Sequence, residues 1–133
     1  MKYLLDTHTF IWFTMDPAKL SKKICKIIED GDNEIFISPI SFWEIAIKHQ
    51  LGKLDLGKMN ILHLPNIATE YDFSILPLDT YDYVSVHNLP FKENHQDPFD
   101  RMLIHTAIHK NFILLSEDKK FKLYEKDGLQ LLW

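Results

Sequence analysis

A chain of 133 residues is the length of one domain and enough to bury a proper core. Its 46% hydrophobic and 26% charged content is that of an ordinary soluble globular protein, and its formal net charge of −4 disfavours a generic polyanion binder, which is usually basic. A nuclease working through bound cations is not excluded, because such cations reverse the local sign. The lone cysteine, Cys25, permits no intrachain disulfide and suits a reducing cytosol. Asp6 and His8 interrupt the opening apolar run, and no small-residue cleavage site follows, so no signal peptide is expected. No apolar stretch is long enough to span a bilayer, and a cytoplasmic location is expected.

Taken in order, residues 2–5 read as a short buried strand ended by Asp6. Thr7-His8-Thr9 open an apolar aromatic segment, Phe10 to Phe13, expected to be helical with Trp12 and Phe13 in the core. Asp16-Pro17 closes it. Leu20, Ile24, Ile27 and Ile28 then recur at helical spacing, started near Ser21 and ended at Gly31, with lysines on the solvated face. Glu34 to Ser38 is a second strand, stopped by Pro39. Ser41-Phe42-Trp43-Glu44 fits the capping-box pattern, which would place Glu44 in the first turn of the next helix. Residues 60–72 suggest a weaker helix, and Ser74 to Leu78 a short strand. Asp79-Thr80 caps a further helix with Tyr83, Val86 and Leu89 on its apolar side. Phe112 to Leu115 is a strand, a short helix spans Lys119 to Tyr124, and Leu129 to Leu132 is a last strand. Strands alternating with helices predict an α/β fold with a mainly parallel sheet, spanning 1–133 as a single domain.

The most informative stretch is His95-Gln96-Asp97-Pro98-Phe99-Asp100-Arg101. Proline is favoured at the first helical position, which makes Asp97 the natural N-cap and puts Asp100 in the first turn. The apolar run Met102 to Ile108 then predicts a largely buried helix with acid at its mouth. A cap explains one such acid. Asp6, Glu44, Asp100 and Asp118, however, each follow a strand or open a helix. In a parallel sheet these positions gather at the edge formed by the carboxyl ends of the strands, where ligands bind. Clustered carboxylates are costly without a cation or proton uptake. Hard oxygen donors with no competing Cys or His cluster favour Mg²⁺ or Mn²⁺, ions that cleave phosphodiesters.

Leu5-Asp6-Thr7-His8, the run Ser41 to Lys48 with Leu51-Gly52-Lys53-Leu54, His95 to Arg101, Leu115-Ser116-Glu117-Asp118 and the terminal Leu132-Trp133 together resemble the PIN-domain family. Within it they resemble the VapC-like ribonuclease toxins of prokaryotic type II toxin–antitoxin systems. The resemblance implies a three-layer fold with helices flanking the sheet. It implies a Mg²⁺- or Mn²⁺-dependent endoribonuclease, usually a homodimer, acting on RNA and silenced by an antitoxin protein that fills the acidic groove. Asp6, Glu44, Asp100 and Asp118 match the family's four acids, the first and third as direct ligands, the others orienting a second ion or the attacking water. Ser116 matches a residue that helps order the site, and Thr7, Asp97 and Arg101 lie inside the matching motifs. Asp97 is expected to act first as a cap.

Other residues have plainer readings. Arg101, the only arginine, is expected to meet phosphate or pair with a carboxylate. Lys48 and Lys53 could contact an RNA backbone, and His8 or His95 a phosphate. His105 and His109 have the spacing of a metal pair but lack an accompanying motif. Trp43 and Trp133 are expected in core or interface. The rival to the nuclease is a catalytically silent regulatory module that acts by joining a DNA-binding antitoxin, its acids serving as caps or ion-pair partners. An aspartyl-phosphate phosphatase is disfavoured, because no second Asp stands two positions after Asp6.

Overall fold

The centre of the sheet is built from three short apolar runs, and each alternates its faces as strand geometry requires. The computed structural model describes residues 1–133. In β1 (Lys2–Leu5), β2 (Glu34–Ile37) and β4 (Ile113–Leu115), the side chains of Tyr3, Leu5, Ile35, Ile37 and Leu115 enter one buried cluster. Leu4 and Leu114 enter a second cluster on the opposite face, with Phe36 packed against it. The register explains the match: Leu4 stands opposite Phe36 on one side and Leu114 on the other. With β3 (Ser74–Ile75) and β5 (Gln130–Leu132) the sheet has five strands, ordered β3-β2-β1-β4-β5, all parallel.

Helices cover both faces. On the first, α1 (Thr7–Met15), α2 (Lys22–Glu29), α3 (Pro39–Gln50) and α4 (Leu64–Glu70) contribute Phe10, Ile24, Ile45 and Leu64. On the second, α6 (Pro98–His109) contributes Leu103, Ile104 and Ala107, and a 3₁₀ segment, Lys119–Asp127, contributes Phe121 and Tyr124. The short α5 (Thr80–Val84) leads through a 3₁₀ turn to Leu89. The expected three-layer parallel α/β architecture is therefore present. From β1 the chain steps outward to β2 and β3, then returns to place β4 and β5 on the other side. The crevice at that reversal lies beyond the carboxyl ends of β1 and β4.

Three local expectations change. The cap of α3 is Ser38, whose hydroxyl accepts the Ile40 N–H at 3.1 Å, with Pro39 at the first helical position. Ser41 therefore lies inside the helix, and Glu44 lies in its second turn. The strand beginning at Ser74 ends at Ile75 and does not reach Leu78; Pro77 has no N–H to give the ladder. The Asp79 cap forms, with a reciprocal bond from the Asp79 N–H to Asp82, but α5 ends after Val84 and leaves Tyr83 exposed.

Candidate active site

Each of the four acids reaches the crevice for a local reason. Asp6 leaves β1 and caps α1, its Oδ1 accepting the Thr7 N–H at 2.7 Å. Its Oδ2 accepts the Ser116 hydroxyl, also at 2.7 Å. Ser116 in turn accepts the Asp118 N–H at 3.1 Å, so one hydroxyl ties the loop after β4 to the acid after β1. Asp118 caps the Lys119–Asp127 segment through the Lys120 N–H. Asp97 caps α6 by accepting the Asp100 N–H at 2.9 Å, as its sequence position suggests. That bond sets the first turn and with it the direction of Asp100.

Glu44 is buried, and two groups hold it. Thr7 donates its hydroxyl to Oε1 at 2.7 Å, and Lys48, one turn along α3, pairs with Oε2. The Thr7 hydroxyl has one proton, which the carboxylate takes, so Ser41 is the donor in the 2.8 Å contact between the two hydroxyls. Ser41 thus serves the site through Thr7, and not as a helix cap.

Asp6, Glu44, Asp100 and Asp118 all line one open cleft of about 510 Å³, joined by Glu117, Lys48, His8 and Trp12. Five carboxylates face a single lysine there. The carboxyl of Asp100 is pushed up to about 8, first by burial and then by Asp97, Asp6, Glu44 and Asp118. Burial raises Asp6 to about 6 despite opposing hydrogen bonds from Ser116 and Thr7 and the nearby charge of His8. Burial alone would depress Lys48, but the hydrogen bond and charge of Glu44, with Asp97 and Asp100 behind it, hold it above the ordinary lysine range.

As the side chains stand, no three donors gather about one point to hold a metal ion. The donor chemistry nevertheless fits a hard divalent cation. The ligands are carboxylate oxygens, and burial and mutual repulsion raise Asp6 to about 6 and Asp100 to about 8, so that Asp100 holds its proton near neutrality. Asp100 has one oxygen without a partner, Asp6 accepts one hydrogen bond on each oxygen and keeps a lone pair on both, and Glu44 is paired with Lys48.

Other expected residues lie elsewhere. Arg101 lines no part of the acid cleft and pairs with no carboxylate. Its guanidinium is buried, donating to the carbonyls of Leu89 at 2.9 Å and Pro90 at 3.1 Å and to the Tyr124 hydroxyl at 3.2 Å. Consecutive helical residues point about 100° apart, so an Asp100 aimed at the cleft turns Arg101 away from it. His95 is buried between Tyr124 and Asp100. Lys48 is committed to Glu44. His105 is buried against Ser85, its ring stacked on that of His109. Trp43 is 59% exposed, edge-on to Phe99, and so is not in the core. Trp12 combines two placements, packing against the core with Trp133 while lining the cleft. Glu117 was not anticipated, although its place between Ser116 and Asp118 was a usable signal.

A fully parallel open sheet carrying an acidic cleft at its reversal point defines an α/β protein built to bring carboxylates together at one site. The chain belongs to the PIN domain family, whose profile matches residues 3–127. It is similar to Ribonuclease VapC22 of Mycobacterium tuberculosis, with 25% identity over 132 residues, 98% of this chain and 97% of that one. Two solved structures share the fold. One is VapBC2 from Rickettsia felis bound to a DNA fragment from its promoter, with a TM-score of 0.67 and 19% identity over 99% of this chain and 98% of the other. The other is VapBC-1 from nontypeable Haemophilus influenzae, with a TM-score of 0.65 and 17% identity over 99% and 97%.

Proposed function

We propose that this chain is a VapC-like endoribonuclease toxin, dependent on Mg²⁺ or Mn²⁺, with the whole of 1–133 acting as one PIN-like domain. The observation that carries this reading is the convergence of Asp6, Glu44, Asp100 and Asp118 on one cleft, with Asp100 held near pKa 8 by burial and like charge. The similarity to Ribonuclease VapC22 supports ribonuclease activity, and the similarity to VapBC structures supports an antitoxin protein as partner. We place the protein in the cytoplasm as a homodimer; no helix is long and apolar enough to cross a membrane.

A bound divalent cation supplies activation of water and neutralisation of charge on the phosphate and leaving oxygen. The protein's own groups do the rest. Asp6 and Asp100 would hold the cation, Asp6 kept in place by Thr7 and Ser116. Glu44 and Asp118, which follow the two strands flanking β1, would orient the attacking water or a second ion. Lys48 neutralises Glu44, and at the edge of the cleft its ammonium would also be placed to meet the phosphate of an RNA strand. Asp97 remains the cap that aims Asp100.

Partner-free protein is expected to cleave single-stranded or looped RNA with Mn²⁺ or Mg²⁺ and to stop on addition of chelator. No cutting in either metal, together with no metal-induced rise in melting temperature, would favour the silent binding module, for which the Glu44–Lys48 pair is the supporting observation. A second check needs no substrate. With Asp100 at about 8 and Asp6 at about 6, cation binding at pH 7 must displace protons, chiefly from Asp100. Calorimetry in buffers of different ionisation enthalpy is expected to read about one proton released per cation at pH 7 and almost none at pH 9. Equal release at both would show that Asp100 is not in the binding set.

A further inference from the structure

His95 is buried, touches an acid of the cleft and has no role in the reaction derived above. Its Nδ1 lies 2.8 Å from the Tyr124 hydroxyl, and its Nε2 lies 3.3 Å from Asp100 Oδ2. Tyr124 is fully buried and takes a second contact, from Arg101 Nη1 at 3.2 Å. These four side chains form one chain of hydrogen bonds, and its direction can be worked out from its end. A guanidinium only donates, so the Tyr124 oxygen accepts from Arg101. The buried Tyr124 proton then needs an acceptor, and His95 Nδ1 is the one in reach. A reversed assignment, with Nδ1–H donating to tyrosine, strands the tyrosine proton, which is costly in a buried site. Only one order satisfies every group: Arg101 to Tyr124, Tyr124 to His95 Nδ1, and His95 Nε2–H to Asp100.

The ring is also fixed in place. Its edge packs against Phe121 at a centroid distance of 5.7 Å and against Tyr124 at 5.3 Å. The His95 N–H bonds the Lys92 carbonyl at 3.0 Å, and Lys92 is itself ion-paired with Asp127 at 2.6 Å. The loop carrying His95 is thus anchored at both its backbone and its ring. The imidazole cannot turn to follow a moving carboxylate, so the carboxylate is held by the imidazole.

We propose that His95 is a positioning residue: held as the Nε2–H tautomer by Tyr124 and Arg101, it donates to one oxygen of Asp100 and leaves the other aimed into the cleft for the cation. This rests on the cation-binding reading of the cleft. A ligand held by a fixed donor binds its ion better than one free to rotate, and loss of such a partner costs 10–100-fold in metal affinity.

Two substitutions separate the two ends of the ring. The Asn side chain reaches the position of Nδ1 and can still accept from Tyr124, but it offers nothing to Asp100. The Gln amide reaches the position of Nε2 and restores that donor. Mn²⁺ affinity measured by calorimetry is expected to fall about 10–100-fold in His95→Asn. In His95→Gln most of the loss is recovered, although this variant, which leaves the buried Tyr124 proton without its acceptor, melts no higher than His95→Asn when metal-free. A merely structural histidine would not be rescued selectively by Gln. In the metal-free wild type, long-range ¹H–¹⁵N spectra are expected to show a protonated Nε2 and an unprotonated Nδ1 for His95, which tests the relay with no variant at all. A protonated Nδ1, or Mn²⁺ affinity in His95→Asn equal to wild type, would overturn the proposal. Wild type with the expected tautomer but no Mn²⁺ binding would instead remove the cation reading and, with it, only the purpose of the relay.

Discussion

Asp100→Asn is expected to abolish cleavage while making the metal-free protein more stable. The first effect follows from ligand chemistry. A neutral amide neither balances a divalent charge nor accepts as strongly as a carboxylate, and metal stabilisation of the transition state amounts to several kcal/mol. The rate is therefore expected to fall about a thousandfold or more. The second effect follows from proton linkage. The Asp100 carboxyl sits near pKa 8 in the fold, against an ordinary value of 3.8. Its stabilising contribution is complete below pH 3.8 and is lost as pH rises toward 8, because the unfolded chain ionises freely while the fold must keep the proton. Asparagine in that place has no proton to lose. In chelator the wild-type melting temperature is thus expected to decline from pH 5 to pH 9, and the variant's to decline less. The variant is the more stable of the two at pH 7 by an amount on the order of a few kcal/mol. Added Mn²⁺ reverses the ranking, since it stabilises only the protein that binds it. Wild-type cleavage by Asp100→Asn, or a variant less stable than wild type in chelator at pH 9, would remove Asp100 from the site.

The sheet could be read from the chain because its strands follow a simple rule. Tyr3-Leu4-Leu5 and Ile113-Leu114-Leu115 are apolar on both faces, which only a strand covered by helices on both sides requires. The mouth of α6 was legible for a similar reason, since Asp97-Pro98 is both a cap and a start. The same rule applied to Ser38-Pro39 would have placed the start of α3 correctly. The pattern Ser41-x-x-Glu44 distracted from it, because capping boxes and helix interiors share residue types. Glu44 still reaches the cleft, since one turn of helix returns a side chain to nearly the same face. The role of His95 was beyond the sequence altogether. Its partners Tyr124 and Asp100 come from separate elements, and a buried histidine with two polar partners has the same letter as an exposed one.

Arg101 is the case where reading residue types misled most, and its removal is the second large effect expected. An arginine beside a candidate metal ligand suggests phosphate. The structure instead uses its planar guanidinium as a bracket on three oxygens, the carbonyls of Leu89 and Pro90 and the hydroxyl of Tyr124, with the Phe91 ring 4.3 Å away over its face. Those carbonyls belong to the stretch that leads through His95 into α6. Arg101→Ala leaves the buried Leu89 carbonyl, the part-buried Pro90 carbonyl and the buried Tyr124 phenol without their donor, and hydrogen bonds to a charged group contribute about 1.5–3 kcal/mol each. Because the three bonds share one side chain, the total is expected to be about 3–5 kcal/mol and not their sum. In urea the unfolding midpoint is expected to fall with an unchanged slope, which separates lost stability from a changed unfolded state. Arg101→Lys is expected to recover less than half of the loss, since one ammonium cannot reproduce a planar fork reaching three acceptors. A phosphate-binding arginine would give the opposite result: Arg101→Ala would keep its urea midpoint and lose RNA affinity. The fold thus places Asp100 and Arg101 on different tasks although they are neighbours in the chain. Asp100 brings a destabilising carboxyl into the cleft, and Arg101 secures the loop on which that acid depends.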